Sequence, residues 1–406
     1  LESTGLMALL SLAEAQERLL AKVVPLPIER IPVAEALGRY LAEPLVARRN
    51  QPPADLSAMD GYALRAADLP GPWQVVGESA CGHPFGGTVG PGEAVRIATG
   101  ALMPADADMV LMQEDAARNG SRLELTGTPP SPADKHLRRK GMDFGKGTNL
   151  LPAGTRPGPA QLALALSAGH RLIAVRRLPR IAIIDSGDEL ASDPENCALH
   201  QIPASNGAML AALVQSALPC AITRIGPVPD RLDALVAALN AASDADVVVT
   251  SGGASVGDHD LIRPALTQWG GEIDFWKVAI KPGKPIMLAQ RGAQLVLGLP
   301  GNPVSSHVTA YLFLLPLLRA LLGAAEPLPR PVTAIAAEDL PAGGPRQEFI
   351  RAHWDGRSVT ARANQDSGAL AAMAASNALI ERAADAPALQ AGTSVSIYLL
   401  GNGGIA

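Results

Sequence analysis

The sequence predicts a multidomain α/β protein with a central parallel α/β domain, a small β-rich domain ahead of it, and a small C-terminal β-barrel or sandwich. Three observations predict it. Between residues 180 and 326 apolar strands alternate with helices; between 51 and 140 short apolar runs are broken by Gly and Pro; beyond the linker EPLPRPV, from 327 to 406, short strands and turns return. A chain of 406 residues, at roughly 100 to 200 per domain, has room for two to four such units.

The elements follow in order. The opening LESTG lacks the charged start, apolar core and cleavage site of a secretory signal, and reads as a remnant ahead of a native start at Met7. Ser11 and Glu14 stand in capping-box spacing before apolar periodicity, so a helix begins there. In the β-rich stretch that follows, runs such as GPWQVVGESACGHPFGGTVG leave no room for a long helix. GPAQLALALSAGHRL restores a helix that stops at Gly169 and leads into the strand RIAIID. From there SNGAMLAALVQSAL, DRLDALVAALNAA and DLIRPALTQWG read as helices, and CAITRIG, DVVVTSGG, PIMLA and LVLGLPG as strands. The apolar stretch from His307 to Gly323 is interrupted by Pro316 and Arg319, whereas a membrane span needs about 20 mostly apolar residues, so it is assigned to a buried helix and not to a membrane.

Charge and cysteines exclude several functions. With 34 Lys+Arg against 39 Asp+Glu the formal net charge is −5, so no overall basic field draws the chain to nucleic acid or an anionic membrane. Cys81, Cys197 and Cys220 are odd in number and widely spaced, which argues against a disulfide framework and structural zinc and for a reducing, cytoplasmic setting.

Ligands of parallel α/β sheets sit at the carboxyl ends of the strands, and four unusual loops fall on that edge. One is SGDEL, with Ser186, Gly187, Asp188 and Glu189; the second is TSGGASVGDHD, with Ser251, Gly252, Gly253, Asp258 and Asp260. The third, FWKVAIKPGKP, supplies Lys277, Lys281 and Lys284. The fourth, LVLGLPGNPVSS, runs from strand to helix through Pro300, Gly301, Asn302 and Pro303, where Asn302 is expected to cap the helix and the hydroxyls of Ser305 and Ser306 to face an anion. Each loop alone is as well explained by a tight turn, a helix start or a solvated lysine pair, and Asp258 by a cap of the next helix. Their common edge is what favours phosphate binding. Carboxylates beside phosphates are tolerated when Mg²⁺ lies between them, so Glu189 and Asp260 are the expected metal ligands.

The motifs together resemble the molybdopterin molybdenumtransferase family, the MoeA-like proteins related to the E domain of gephyrin. They are PPADLSAMDGYA, RIATGALMPADADMVLMQED, SGDEL, TSGGASVGDHD, FWKVAIKPGKP and GLPGNPVSS, and they span nearly the whole chain. The resemblance implies a four-part homodimer whose cleft is completed by the partner: a discontinuous elongated helical and strand region of residues 7–50 and 141–179, a β-rich lid of 51–140 inserted between them, the α/β molybdopterin-binding domain of 180–326 and a C-terminal β-barrel-like domain of 327–406. It implies insertion of molybdenum from molybdate into adenylylated molybdopterin, with Mg²⁺-dependent release of AMP, and contacts with other cofactor-synthesis proteins or molybdoenzyme chaperones.

Carried over by motif, Asp60 and Thr99 come from the lid, Asp143 from GMDFGKG, Asp230 from VPDRL, and Ser305 and Arg351 as substrate or oxyanion contacts; Asp60, Glu189, Asp260, Lys277 and Lys281 form the catalytic set. Asp60 is open between positioning water or substrate and bracing the DGYA turn. The chain departs from the family pattern at DSGDEL, where a hydroxyl gives way to Asp185, at Pro203-Ala204, at Arg231, and at Gly368, Ala371 and Ala372. Those changes fit a specialised relative, for tungsten or one cofactor class, or tolerated drift. A molybdopterin adenylyltransferase, a non-catalytic cofactor-binding scaffold and a generic nucleotide-phosphate hydrolase are the competing assignments.

Overall fold

The computed structural model describes residues 9–252 and 261–401. The first helix, Leu12–Ala21, forms as its cap predicts: Glu14 N–H donates to Ser11 Oγ at 3.2 Å and Ser11 N–H to Glu14 Oε2 at 2.9 Å. The bond to Ser11 holds the Glu14 carboxyl below its ordinary range. Its buried side, Leu12, Ala15, Gln16 and Leu19, packs on the core of the central unit.

Chain segments far apart in sequence pair around the lid. Ile28–Pro32 lies antiparallel to Leu172–Arg176, and Leu45–Val46 to Asn149–Leu151. Between them a six-stranded sheet runs in the order Met109–Met112, Gly61–Leu64, Glu93–Ile97, Trp73–Ser79, Arg122–Leu125, Ala116–Asn119. The helix Pro159–Ser167 ends as expected, with Gly169 at φ +92°.

The central sheet has the order Ala221–Val228, Arg180–Ser186, Val247–Ser251, Gln294–Leu299, Pro285–Arg291, Glu272–Lys277. Its first four strands are parallel, but the last two are antiparallel to their neighbours, which corrects the all-parallel expectation. The reason is loop length. Arg291 pairs with Gln294 across a two-residue turn, and a parallel crossover needs a dozen residues or more. The antiparallel step still brings the lysine loop to the carboxyl rim, because Lys277 ends one strand opposite Pro285, which starts the next.

Helices cover both faces. Leu210 and Val214 of Asn206–Ala217, with the long helix from Pro303 to Leu321, pack on Ile181, Ile183, Val247 and Leu297; Leu235, Leu239, Ala265 and Leu266 cover Ile184, Val248 and Val296. The Pro303–Leu321 stretch is long and apolar enough to cross a membrane, yet 89% of it is buried inside the protein, so it serves as the core helix. Pro316 is absorbed by a π-helical turn at Ala310–Leu314. Pro316 has no N–H to give the Leu312 carbonyl four residues earlier, and Gln16 Nε2 donates to it at 2.9 Å instead. Gln16→Leu should therefore cost about 1–3 kcal/mol in urea unfolding, because a buried carbonyl is left without a donor.

The last unit is a closed barrel. Strands Val332–Ala336, Gln347–Trp354, Ser358–Ala361, Ala378–Arg382 and Ser394–Leu399 close through the pairing of Gln347–Trp354 with both Ser358–Ala361 and Ala378–Arg382. A two-residue strand from the lysine loop, Ile280–Lys281, adds to it in parallel.

Candidate functional site at the carboxyl rim of the central sheet

Register places the ends of the parallel strands side by side: Ser186 is opposite Val228, Asp185 opposite Ser251, and Ser251 opposite Leu299. The loops that follow converge on one side chain that motif reading passed over. Asn206 opens its helix and donates through Nδ2 to Ser251 Oγ at 2.9 Å and to the Gly301 carbonyl at 2.6 Å. Gly252 and Gly301 approach closely, since a Cβ on Gly301 would stand 3.5 Å from Gly252 Cα. Gly252 has φ +103°, a conformation natural to glycine, and a side chain there would drive into the Ser186 carbonyl.

On the neighbouring loop a Cβ on Gly187 would collide with the Glu189 carboxylate, so that exposed acid folds back over the turn. Asp188 Oδ1 accepts from Asp230 N–H at 3.0 Å, bringing two more acids to the same edge. Gly253, Asp258 and Asp260 lie outside the described residues.

A second residue, noted in the sequence only as a departure from the family pattern, is Asp185. It is 4% exposed and receives the Gly207 N–H at the start of the Asn206 helix, with Arg224 Nη2 at 4.0 Å, while Oδ1 has no partner among the described residues. Burial raises its carboxyl above the ordinary range, opposed by Arg224. Ser186 is 2% exposed, and its Oγ is likewise unpartnered among the described residues. Buried polar groups without a partner call for an explanation, and a ligand at this strand end is one that fits.

Three expectations about individual side chains change. Asn302 occupies the N-cap position of Pro303–Thr309 but its side chain does not cap; Nδ2 donates to Ser367 Oγ of the barrel at 3.0 Å. Ser305 and Ser306 are both buried, Ser306 completely, so neither lies open to the rim as expected from the helix start. Arg351 is 0% exposed, and its Nη2 donates to the carbonyls of Asn364 and Asp366 at 3.0 Å each, so it supports the loop carrying Ser367 rather than meeting solvent.

The cations expected from the sequence are lysines. Lys277 is half-buried at the end of its strand, and Lys281 Nζ pairs with Glu348 Oε1 at 2.9 Å. His307, on the rim helix, adds no charge at neutral pH, because burial pushes it down to about 4. The unfolded chain takes up this proton near 6.5 and the folded one only near 4, so stability drains away as pH falls through that window. His307→Gln should flatten that acid limb in melting experiments.

The lid residues form their own group. Thr99 N–H donates to Asp60 Oδ1 at 2.6 Å, and Gln113 N–H donates to the Asp60 carbonyl at 3.2 Å. The Thr99 amide, then its hydroxyl, then Arg96 hold the Asp60 carboxyl below its usual range. Arg96 also donates to the Gly61 carbonyl and to Gln113 Oε1, each at 2.8 Å. Asp143 is exposed, with its N–H on the Gln51 carbonyl at 3.0 Å.

Size alone does not mark the site. A cleft of ≈ 830 Å³ lies between Ser11 and barrel residues from Glu381 to Ser396, and of the four rim loops it touches only the lysine loop, at Ala279. No cluster of three or more His, Cys, Asp or Glu suited to a metal occurs among the described residues. Mg²⁺ needs only one or two carboxylates when substrate phosphates supply the rest, and Glu189, a hard oxygen donor exposed at the rim, fits that demand.

Family comparisons match this arrangement along the chain. Residues 10–169 match the MoeA N-terminal region (domain I and II), 182–320 the probable molybdopterin binding domain, and 333–400 the MoeA C-terminal region (domain IV). The chain is 35% identical to the molybdopterin molybdenumtransferase of Haemophilus influenzae over 85% of its own length and 86% of that protein. It is 30% identical to the enzyme of the same name from Bacillus subtilis, over 92% and 90%. The crystal structure of the molybdopterin biosynthesis MoeA protein from Pyrococcus horikoshii OT3 superposes with a TM-score of 0.83 at 28% identity, covering 97% of this chain and all of that one. On these grounds the chain belongs to the MoeA family of molybdopterin molybdenumtransferases.

Proposed function

We propose that this chain inserts molybdenum from molybdate into adenylylated molybdopterin and releases AMP in a Mg²⁺-dependent reaction. The observation that carries this reading is the junction at Asn206, which ties the Ser251–Gly252 and Gly301 loops into one rim with orphaned polar groups beside it. In this proposal the units are 7–50 with 141–179, the lid 51–140, the molybdopterin-binding domain 180–326 and the barrel 327–406. The protein acts in the cytoplasm as a homodimer, and the partner brings a lid to complete each cleft.

The residues then divide the work by charge. Amides around Gly187, Gly252 and Gly301 donate to phosphate oxygens, which small residues let approach the backbone. Lys277 and Lys281 offset charge on phosphate and molybdate as it develops. Glu189, with Asp260 as the sequence predicts, holds Mg²⁺, whose positive charge offsets that of the phosphates when bound. Asp60, with its carboxylate fixed by Thr99 and Arg96, orders the partner-side face of the substrate. Ser186, Asp143, Asp230, Pro300, Asn302 and Ser305 shape the binding surface, and Arg351 acts through the Ser367 loop.

Incubating the purified protein with adenylylated molybdopterin, Mg²⁺ and molybdate, and following AMP, tests the proposal. AMP released only when molybdate is present supports it. Consumption of ATP with molybdopterin would instead identify an adenylyltransferase, and binding without turnover a scaffold.

A further inference from the structure

We infer that Glu348 is a positioning residue that fixes the Lys281 ammonium at the rim, so that the C-terminal barrel sets the geometry of the oxyanion subsite. The inference rests on the role proposed for Lys281. The two side chains come from different units, 67 residues apart in sequence, and meet at 2.9 Å. Their backbones are already in register: Ile280 pairs with Gln347 and Lys281 with Glu348 in a parallel ladder. Gln347 N–H donates to the Ala279 carbonyl at 3.0 Å, and Arg346 Nη1 to the Ile280 carbonyl at 3.2 Å.

Exposure decides which partner is the anchor. The Glu348 side chain is 14% exposed and the Lys281 side chain 55%, so the carboxylate is the held partner and the ammonium the one open to solvent. A lysine carries its charge on four flexible carbons and has three N–H donors. One donor satisfies Glu348, which narrows the positions the ammonium visits, and two remain for an incoming anion. Without the carboxylate the side chain recovers its rotamers, and an anion must order them on binding. The barrel grips a second rim loop too, since the Ser367 carbonyl accepts from Val304 N–H at 3.2 Å and its hydroxyl from Asn302 at 3.0 Å.

The test is a double-mutant cycle on the full chain, reading the molybdate concentration that half-saturates AMP release, with melting temperature as a folding control. Glu348→Ala is expected to raise that concentration about fivefold, the scale of a partly exposed ion pair. Glu348→Gln, which keeps an oxygen for Lys281, recovers most of the loss. In a Lys281→Ala background, Glu348→Ala has no further effect. If Lys281→Ala raises the half-saturating concentration but Glu348→Ala does not, or if the two losses simply multiply, the inference is overturned while the lysine assignment stands. If Lys281→Ala itself changes nothing, the role proposed for Lys281 fails and this inference falls with it.

Discussion

Replacing Gly252 with alanine is expected to cut molybdate-dependent AMP release by about a hundredfold or more, the scale on which a misplacement of about 1 Å acts. Two independent costs meet at this residue. Its φ of +103° disfavours any side chain, and the new Cβ would press on the Ser186 carbonyl. That carbonyl cannot yield easily, because its strand is paired on both sides, to Ala221–Val228 and to Val247–Ser251. The Gly252 loop must move instead, and because its strand lies between those of Ser186 and Leu299, relief of the clash presses it toward Gly301 and disturbs the Asn206 junction. Stability should fall by roughly 1–3 kcal/mol, read from denaturant unfolding, while activity falls far more. Ser251→Ala, which removes one acceptor of Asn206 without straining the backbone, is the milder control.

Lys277→Ala is the second large effect, an expected loss of roughly 10²–10³ in kcat with little change in melting temperature. Lys277 closes the edge strand, opposite Pro285, and its carbonyl accepts Leu10 N–H at 3.3 Å, so its backbone stays fixed when the side chain is truncated. Among the described residues it makes no ion pair, whereas Lys281 shares its charge with Glu348. The larger loss should therefore fall on Lys277. Rates at saturating molybdate for the two single variants measure the difference directly.

Features decided within a few residues were legible in the sequence. The Ser11–Glu14 cap, the stop at Gly169 and the succession of strands and helices after Arg180 need only local spacing and propensity, and all are present. The antiparallel hairpin was hidden because PIMLA and LVLGLPG are buried on both faces, and an apolar run alone does not give strand direction; the two-residue turn does. Partner choice over long separations was not legible. Asn206 reaches Ser251 and Gly301 across 45 and 95 residues, and Asn302 prefers Ser367 to its own helix. Asp185 had a local signal, a carboxylate at the end of an otherwise apolar strand, but only the fold shows it buried against the Asn206 helix. Arg351 was carried over by motif as a substrate or oxyanion contact; its strand turns it, with Phe349, away from the barrel core, where Nη2 meets the carbonyls of Asn364 and Asp366.

The account depends on a divalent cation shared between rim carboxylates and the phosphates of the substrate. Calorimetric titration of adenylylated molybdopterin into the wild type, Glu189→Gln and Asp260→Asn, with Mg²⁺ and then with chelator, tests that dependence most directly. Affinity at least about tenfold tighter with Mg²⁺ in the wild type, and indifferent to it in both variants, is the expected result. Equal affinity with and without the metal in all three proteins would contradict it.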